Sequence, residues 1–561
     1  MEPARRPLVS QLWVKNRCCE GVLDRGRGAL SWEELQPRPQ RDRGLCLARV
    51  LHRARGLIGR LTEQYPSVCH SVPISEIIAI EAETEQKRCN SVTWQKFKSH
   101  SFKVHYAQRV QKNRWRCCEV TFWCKDEELC HQWIQAIKEL LELQTSRPKH
   151  LLVYINPYGG KQQGKQIYEQ KVAPLFSLAS ITTDVIVTER ADHAKDNLFE
   201  VNLEKYDGVI SVGGDGMFSE VMHGLIGRMQ KDSGIDQNNP IAPLAPCNIR
   251  IGIIPAGSTD CICYATVGIN DPVTSTLHII IGDLQFMDVC SVHHNNTFVK
   301  YSASLLGYGF YGDVLKDSEK NRWMGPTRYD FSGFKTFLSH HYYEGTVSFQ
   351  QANQTLGSPR DKSTCRSGCN ICKQSTQEVE EKRRQHHYNL EETEHNADWK
   401  VIRGKFMAIN AANMSCACPR SPKGVSPAAH LATGTIDLIL VRNCSRLNFL
   451  RHLIRHRNRD DQFDLAFVDV YRVRAFLFTP KHSEKEDTDN KDVGKKHFNQ
   501  ICNGNHSSCG CNHVNSIWNC DGEALDHAAV EVRVHCQLIK LFARGIEEDS
   551  KPEDACNPIR V

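Results

Sequence analysis

Three short glycine-rich stretches, each ending a run of apolar residues, constrain this chain more than any other feature. They are Asn156-Pro157-Tyr158-Gly159-Gly160, running on to Gly164 and Lys165; Val212-Gly213-Gly214-Asp215-Gly216-Met217, followed by Ser219-Glu220; and Pro255-Ala256-Gly257-Ser258-Thr259-Asp260. A fourth, Asp521-Gly522-Glu523, lies far downstream. The apolar runs Leu151 to Ile155, Asp184 to Thr188, Val209 to Val212 and Ile251 to Ile254 alternate with helical patterns near 168–176, 191–199, 217–226 and after Gly257. Strands separated by helices of this length form βαβ units, and so a parallel sheet covered on both faces. Such a sheet binds ligands at the carboxyl ends of its strands, where the four turns are therefore expected together. Glycine lets backbone N–H groups approach a polyphosphate, and a helix starting there turns its positive end to the same anion. Gly159, Gly164 and Lys165 satisfy most of a Walker A pattern, but Gln166 stands where a Ser or Thr hydroxyl must reach Mg2+. That departure argues against a standard P-loop.

At 561 residues the chain has room for about three or four domains. Residues 1–148 show strand-like runs at Val9 to Val14, Ser71 to Ile80, Ser101 to Gln108 and Trp115 to Trp123. A helix is expected from Asp126 to Leu143, where Leu129, Trp133, Ile137, Leu140 and Leu141 recur at helical spacing behind three acidic residues. Antiparallel strands closed by one amphipathic helix with a central Trp resemble a pleckstrin-homology (PH) domain, a small barrel plugged by that helix. A small α+β domain of another kind is the competing reading. From about Asp288 the pattern turns β-rich, with runs at 300–308, 346–350, 405–409, 436–441, 463–478 and 530–542. The polar stretches Gly357 to Asp398 and Lys481 to Asn515 read as surface insertions. The expected architecture is a PH-like barrel (1–148), a parallel-sheet α/β lobe (149–290) and a β-rich, sandwich-like lobe (291–561).

Composition supports a soluble globular chain: 40% apolar and 24% charged residues, with a mean hydropathy of −0.47 and no run near the ~18 apolar residues a spanning helix needs. The start Met1-Glu2-Pro3-Ala4-Arg5-Arg6 leads into no apolar segment, so neither secretion nor N-myristoylation is signalled and a cytoplasmic protein is expected. In that compartment the 25 cysteines read as free thiols, metal ligands or redox-sensitive groups before disulfides. The net charge of +6 is local. Seven arginines against two acids between Gln36 and Pro66 supply +5 of it, which argues against an extended nucleic-acid-binding face. Within that segment Leu45 to Leu61 has the spacing of a basic amphipathic helix suited to an anionic lipid surface; a disordered Arg-rich insertion is the alternative.

The Asn-Pro, Gly-Gly-Asp-Gly and Asp-Gly-Glu elements, in this order, resemble the diacylglycerol-kinase-type catalytic fold shared by diacylglycerol, sphingosine and ceramide kinases. The resemblance is strongest to the ceramide-kinase branch. It rests on Ser146 to Gly164, Tyr206 to Gly227, Ile253 to Cys263, Ser304 to Lys320, Tyr329 to His341, Asn410 to Cys418 and Cys536 to Glu548. The Gln36 to Pro66 segment departs from the family pattern. The resemblance implies ATP-dependent phosphorylation of the primary hydroxyl of ceramide, with Mg2+ on the phosphates. Asp215 is then the catalytic base; an Asp that only shapes its turn or caps a helix is the competing reading. By similarity Asn156, Pro157, Tyr158, Gly159, Gly160, Thr188, Glu189, Arg190, Ala191, Asp192, Glu220 and Gly257 line the nucleotide site, with Ser258 and Thr259 nearby. Arg322 and Arg328 match phosphate-binding positions, and Asp521, Gly522 and Glu523 complete the ATP pocket. Gly213, Gly214, Asp215 and Gly216 meet the lipid headgroup, and Asp437 resembles an acidic position near metal or headgroup. A diacylglycerol or sphingosine kinase, or a non-catalytic lipid-binding protein with a PH domain, are the alternatives.

Two further features are read partly from their residues. Cys365, Cys369 and Cys372 have metal-ligand spacing, but tetrahedral zinc needs a fourth ligand, for which Cys416 and Cys418 are the candidates. Close-set thiols that merely order an insertion are the alternative. Residues 444–459 interleave Leu447, Leu450, Leu453 and Ile454 with arginines, a pattern that can bind calmodulin, and the resemblance implies a calcium-responsive enzyme. An ordinary surface helix is the commoner fate of such a pattern. The resemblance also implies peripheral attachment to membranes, namely the plasma membrane and Golgi, with anionic lipids bound by the PH-like domain.

Overall fold

The computed structural model describes residues 6–15, 17–35, 69–83, 100–352, 356–385, 398–458, 461–481 and 515–548. The basic segment at 36–66, with its expected amphipathic helix, lies outside the described residues, as does the stretch at 481–515 apart from its two ends.

The N-terminal unit is a seven-stranded antiparallel barrel built from β1 (Leu8–Val14), β2 (Arg17–Asp24), β3 (Ala29–Glu34), β4 (Cys69–Pro73), β5 (Ile77–Glu83), β6 (Ser101–Gln111) and β7 (Arg114–Trp123), in the order β4-β3-β2-β1-β7-β6-β5. The single run expected at Ser71 to Ile80 is broken, because Ile74 turns into the core through one turn of 3-10 helix at Ile74–Glu76. Helix α1 (Glu127–Glu142) starts at Asp126, whose carboxylate accepts the Leu129 N–H at 2.8 Å. It buries Cys130, Trp133, Ile134, Ala136 and Ile137. Trp133 stacks on Phe102, and its indole N–H donates to Ser10 Oγ at 2.8 Å, so the one polar atom of the plug is satisfied.

The second sheet is continuous through the rest of the chain. Its parallel part holds β8 (His150–Ile155), β9 (Thr182–Val187), β10 (Gly208–Gly213) and β11 (Arg250–Pro255) in the order β9-β8-β10-β11. The connecting helices are α2 (Gly164–Ile167), α3 (Ala173–Leu178), α4 (His193–Glu200), α5 (Asp215–Asp232), α6 (Cys261–Val267) and α7 (Pro272–Ile281). Phe218, Met222 and Leu225 of α5 pack one face, and Tyr168, Phe176 and Leu277 pack the other. β8, β10 and β11 are buried on both faces, which explains their unbroken apolar runs, whereas the edge strand β9 is largely exposed.

Beyond β11 come β12 (Gln285–His294), β13 (Thr297–Ser302), β14 (Leu305–Gly309), α8 (Phe310–Lys320), α9 (Arg328–Ser339), β15 (Tyr343–Gln351), α10 (Asn370–Gln385), β16 (Trp399–Ala412), β17 (Ile436–Arg442), α11 (Arg446–Asn458), β18 (Val468–Pro480), β19 (Trp518–Cys520), β20 (Glu523–Leu525) and β21 (Val530–Leu541). The last strand joins the two parts. β21 pairs parallel to β11 at Arg250↔Lys540 and antiparallel to β12 and β18. The run expected at 300–308 is split at Ala303-Ser304, whose backbone turns to meet Asp521. The stretch at 357–398, expected as a surface insertion, instead buries Cys372 and Ser375 at the start of α10. The Gln537 side chain reaches it, donating to Thr376 Oγ1 at 2.9 Å.

Candidate active site

Strand register brings the first three glycine turns to one level. Ile155 pairs with Val187 on one side and Val212 on the other, while Gly213 pairs with Pro255. The chain leaves β8 for β9 on one side and crosses to β10 on the other, so the β8/β10 crevice is the switch point of the sheet. Asn156 and Gly213 sit at its mouth. Asn156 Oδ1 accepts the N–H groups of Tyr158 and Gly159 at 2.9 and 3.1 Å, folding the first turn.

Glycine is required where the turns touch. A Cβ on Gly257 would lie 2.5 Å from Gly214 Cα, and one on Gly160, where φ is +58°, would lie 2.6 Å from the Ala256 carbonyl oxygen. Backbone is thus packed on backbone across all three turns. Gly216 is different: a Cβ there would meet nothing within 4 Å. It belongs to the first turn of α5, whose N-cap Gly214 makes no side-chain cap. Uncapped amides at a helix start beside open space suit phosphate oxygens, so the residues present fit a nucleotide triphosphate tail.

Asp215 opens α5 and accepts the Cys261 and Ile262 N–H groups, both at 2.9 Å, at the start of α6. Burial pushes its carboxyl up, against the pull of those two amides. Asp260, in left-handed backbone at φ +50°, accepts the Gly257 N–H at 2.9 Å, and burial, reinforced by the charge of Asp215, raises it to about 7. In the sequence Asp260 is no more than the end of a turn motif. Its closeness to Asp215 depends on the β10/β11 pairing, and no local pattern signals it.

Other expected residues fall into groups. Thr188 is buried at the end of β9 and donates to the Ile155 carbonyl at 3.2 Å. Glu189, Arg190, Ala191 and Asp192 form the exposed loop behind it, where Arg190 pairs with Asp196 at 2.7 Å. Glu220 accepts the Ala194 N–H at 2.7 Å, so its carboxylate caps α4 and fixes this loop. Tyr158 is 66% exposed.

The Asp-Gly-Glu element is not at the parallel edge. It lies at the tight turn between β19 and β20 of the antiparallel part, where Cys520 pairs with Glu523 across Asp521 and Gly522. Asp521 accepts five hydrogen bonds there, from the N–H groups of Ala303, Ser304 and Leu305 and the hydroxyls of Ser302 and Ser304. Its charge still reaches Asp215 and helps raise it. Gly522 adopts φ +91°, and Glu523 pairs with Lys300. Arg322 and Arg328 stand after α8, where both engage Glu319.

Asp437 is a structural residue. It is 1% exposed and is held by the Arg472 guanidinium at 2.9 Å and by Ser426 Oγ at 2.6 Å. The expected fourth partners of the cysteine cluster are also overturned. Cys416 Sγ faces the Ser304 and Met414 carbonyls, and Cys418 bridges to Ser421, whereas His430 completes the group with Cys365, Cys369 and Cys372. In α11, Phe449 and His452 are buried, with Leu447 80% exposed on the outer face. No helix among the described residues is long and apolar enough to cross a membrane.

Three family models account for the chain: a ceramide kinase PH domain over residues 8–137, a diacylglycerol kinase catalytic domain over 150–292 and a ceramide kinase C-terminal domain over 302–559. A solved diacylglycerol kinase from Bacillus anthracis is 10% identical with a TM-score of 0.42, covering 71% of this chain and 97% of that one. Ceramide kinase of Mus musculus is 56% identical, covering 98% of this chain and 99% of its own. Ceramide kinase of Homo sapiens is 58% identical over 552 residues, 98% of each chain. With these turns, these acids and that extent of identity, the chain belongs to the ceramide kinase family.

Proposed function

We propose that the chain transfers the γ-phosphate of ATP to the primary hydroxyl of ceramide, giving ceramide 1-phosphate and ADP. The observation that carries this reading is Asp215, set where the glycine turns meet and next to a second acid, in a chain of this family. As the ceramide oxygen bonds to the γ-phosphorus and the bond to the ADP oxygen breaks, the hydroxyl proton passes to Asp215 Oδ. A carboxylate raised by burial is a stronger base than one in water, as general base catalysis requires. The amides at the start of α5 and the turns at Asn156, Gly159, Gly160 and Gly257 hold the phosphate chain, with Gly213 to Gly216 against the headgroup. Mg2+ supplies charge neutralisation on the phosphate oxygens. Thr188 to Asp192 close the nucleotide side through the loop fixed by Glu220. Arg322 and Arg328 contribute by releasing Glu319 for phosphate, and Asp521, Gly522 and Glu523 shape the far wall.

Three working units follow: 1–148 for membrane attachment, 149–290 for catalysis and 291–561 for the lipid. A water-insoluble substrate and a PH domain support action at membrane surfaces from the cytoplasm, including the plasma membrane and Golgi, with anionic lipids as the attachment site. Calcium stimulates, and calmodulin takes α11 by the outer stripe of Leu447, Leu450 and Ile454. Zinc is a second metal, carried by Cys365, Cys369 and Cys372.

The test is transfer from labelled ATP to ceramide, sphingosine and diacylglycerol in mixed micelles, with and without calcium. Labelled ceramide 1-phosphate as the main product is expected. A main product from either other lipid would overturn the substrate, and no product at all would leave a lipid-binding protein. Of the alternatives, the identity to ceramide kinases over nearly the whole chain favours ceramide.

A further inference from the structure

Cys365, Cys369, Cys372 and His430 bring four ligand atoms within 4.8 Å of one another. They come from two segments 58 or more residues apart in sequence, so local spacing does not explain the convergence. Cys365 Sγ lies 3.7 Å from Cys372 Sγ, and Cys369 Sγ lies 3.3 Å from His430 Nδ1. A tetrahedral zinc ion with ordinary bond lengths sets its ligands about 3.8 Å apart for two sulfurs and about 3.6 Å for sulfur and nitrogen. The two measured edges are within a few tenths of an ångström of those values.

The surroundings select the right forms of the ligands. Ser363 Oγ–H donates to Asp361 Oδ1 at 2.5 Å, so the Ser363 oxygen is free to accept the Nε2–H of His430, 3.3 Å away. That bond places the ring proton on Nε2 and leaves the Nδ1 lone pair directed at the cysteines, as a metal-binding histidine requires. The Leu431 N–H points at Cys365 Sγ and the Cys372 N–H at Cys369 Sγ, as backbone donors do around metal-bound sulfur. His430 is 3% and Cys372 8% exposed, while Cys365 and Cys369 are half-buried, so two of the four ligands lie out of solvent and two near its edge.

We propose that Cys365, Cys369, Cys372 and His430 Nδ1 bind one zinc ion in a closed structural site, which fastens α10 to the crossing segment 413–435. On binding, three thiol protons leave to solvent and His430 keeps its Nε2–H. One end of the crossing supports the cleft: the Asn413 N–H donates to the Ser304 carbonyl, and Cys416 packs on the same carbonyl, beside the backbone that holds Asp521. The other end follows His430, where Thr433 and Gly434 give their N–H groups to Asp288 of β12. The four ligands are therefore positioning residues for the cleft wall, and they take no part in phosphate transfer.

The test is metal analysis of the full chain purified without chelator, together with cobalt substitution. One zinc per chain is expected, falling below a tenth in His430→Ala, while His430→Cys, Cys416→Ser and Cys418→Ser keep close to one. Cobalt in the wild type should give the charge-transfer and d–d bands of a tetrahedral three-thiolate site, shifting in His430→Cys as a fourth thiolate enters. A chelator should lower the Tm of the wild type by several degrees. Wild type without zinc and without cobalt bands, or His430→Ala with full zinc, would overturn the proposal. If His430→Ala does not fold, an unchanged cobalt spectrum in His430→Cys would overturn it as well.

Discussion

The acids of the two catalytic-half lobes make an instructive contrast. In the α/β lobe Asp260 accepts one hydrogen bond and Asp215 two, all from N–H groups at the start of α6 or in the turn before it. In the β-rich lobe Asp288 accepts three backbone N–H bonds from Thr433, Gly434 and Gln537, and Asp521 accepts five. Asp437 is neutralised outright by Arg472. Asp260, Asp288 and Asp437 are buried and Asp215 and Asp521 half-buried, so each lobe holds acids of both kinds and burial alone does not separate them. Partner number alone does not set protonation either, since burial raises Asp288, with its three donors, to about 7 as it does Asp260. What differs is the lone pairs left to face a substrate, which Asp215 and Asp260 keep and which the five donors around Asp521 fill.

The largest effect should come from the least saturated pair. Asp215→Asn keeps an acceptor for one α6 amide and is expected to lower turnover by about 10²- to 10⁴-fold, with Tm and ATP binding little changed. Labelled-ATP turnover beside calorimetry checks this, and activity near wild type would remove Asp215 from the chemistry. The saturated side should break in the opposite way. Asp437→Ala strands a guanidinium that is 5% exposed and is expected to cost about 3–5 kcal/mol of stability, read by urea unfolding. Asp437→Leu with Arg472→Met should recover much of that loss.

The glycines sharpen the same distinction between scaffold and open site. Gly257→Ala drives a Cβ to 2.5 Å from Gly214 Cα, and overpacking of this kind costs about 1–3 kcal/mol, with activity lost as the turns separate. Gly216→Ala should leave the melting temperature unchanged or slightly raised, since alanine is the better helix former. It should still raise KM for ATP, because the added methyl enters the space facing the phosphates.

A further effect is one of pH. Burial raises Asp260 to about 7, so the fold favours its protonated form. Its stabilising contribution is then complete below the unfolded carboxyl value and fades as pH rises through 7. Asp260→Asn holds the neutral form throughout. Its stability relative to wild type should therefore climb by about 2–3 kcal/mol between pH 5 and pH 8, levelling off at the upper end. A constant difference across that range in urea titrations would show that Asp260 does not titrate there.

Much of this was legible in the residues. The unbroken apolar runs fixed the parallel strands within a residue or two, and the three glycine turns marked the edge where they meet, because glycine and strand ends are local signals. The Trp133 helix plugged its barrel as its spacing implied. Long-range relations were not legible. Nothing local distinguishes Asp437, a buried ion-pair partner, from an acid at a headgroup, since Arg472 lies 35 residues on in another strand. Nor does anything local mark His430: closely spaced cysteines carry a metal-ligand signal in their spacing, while a lone histidine 58 residues beyond Cys372 carries none.

By itself, then, the sequence determined which backbone segments become strands, helices and phosphate-facing turns, since these depend on side-chain periodicity and on glycine. Only the tertiary structure decided what each polar group does there. A carboxylate becomes a base, a cap or an ion-pair partner according to which donors the β10/β11, β17/β18 and β19/β20 pairings bring to it. Those donors lie far away along the chain, and their positions follow from the packing of the whole sheet.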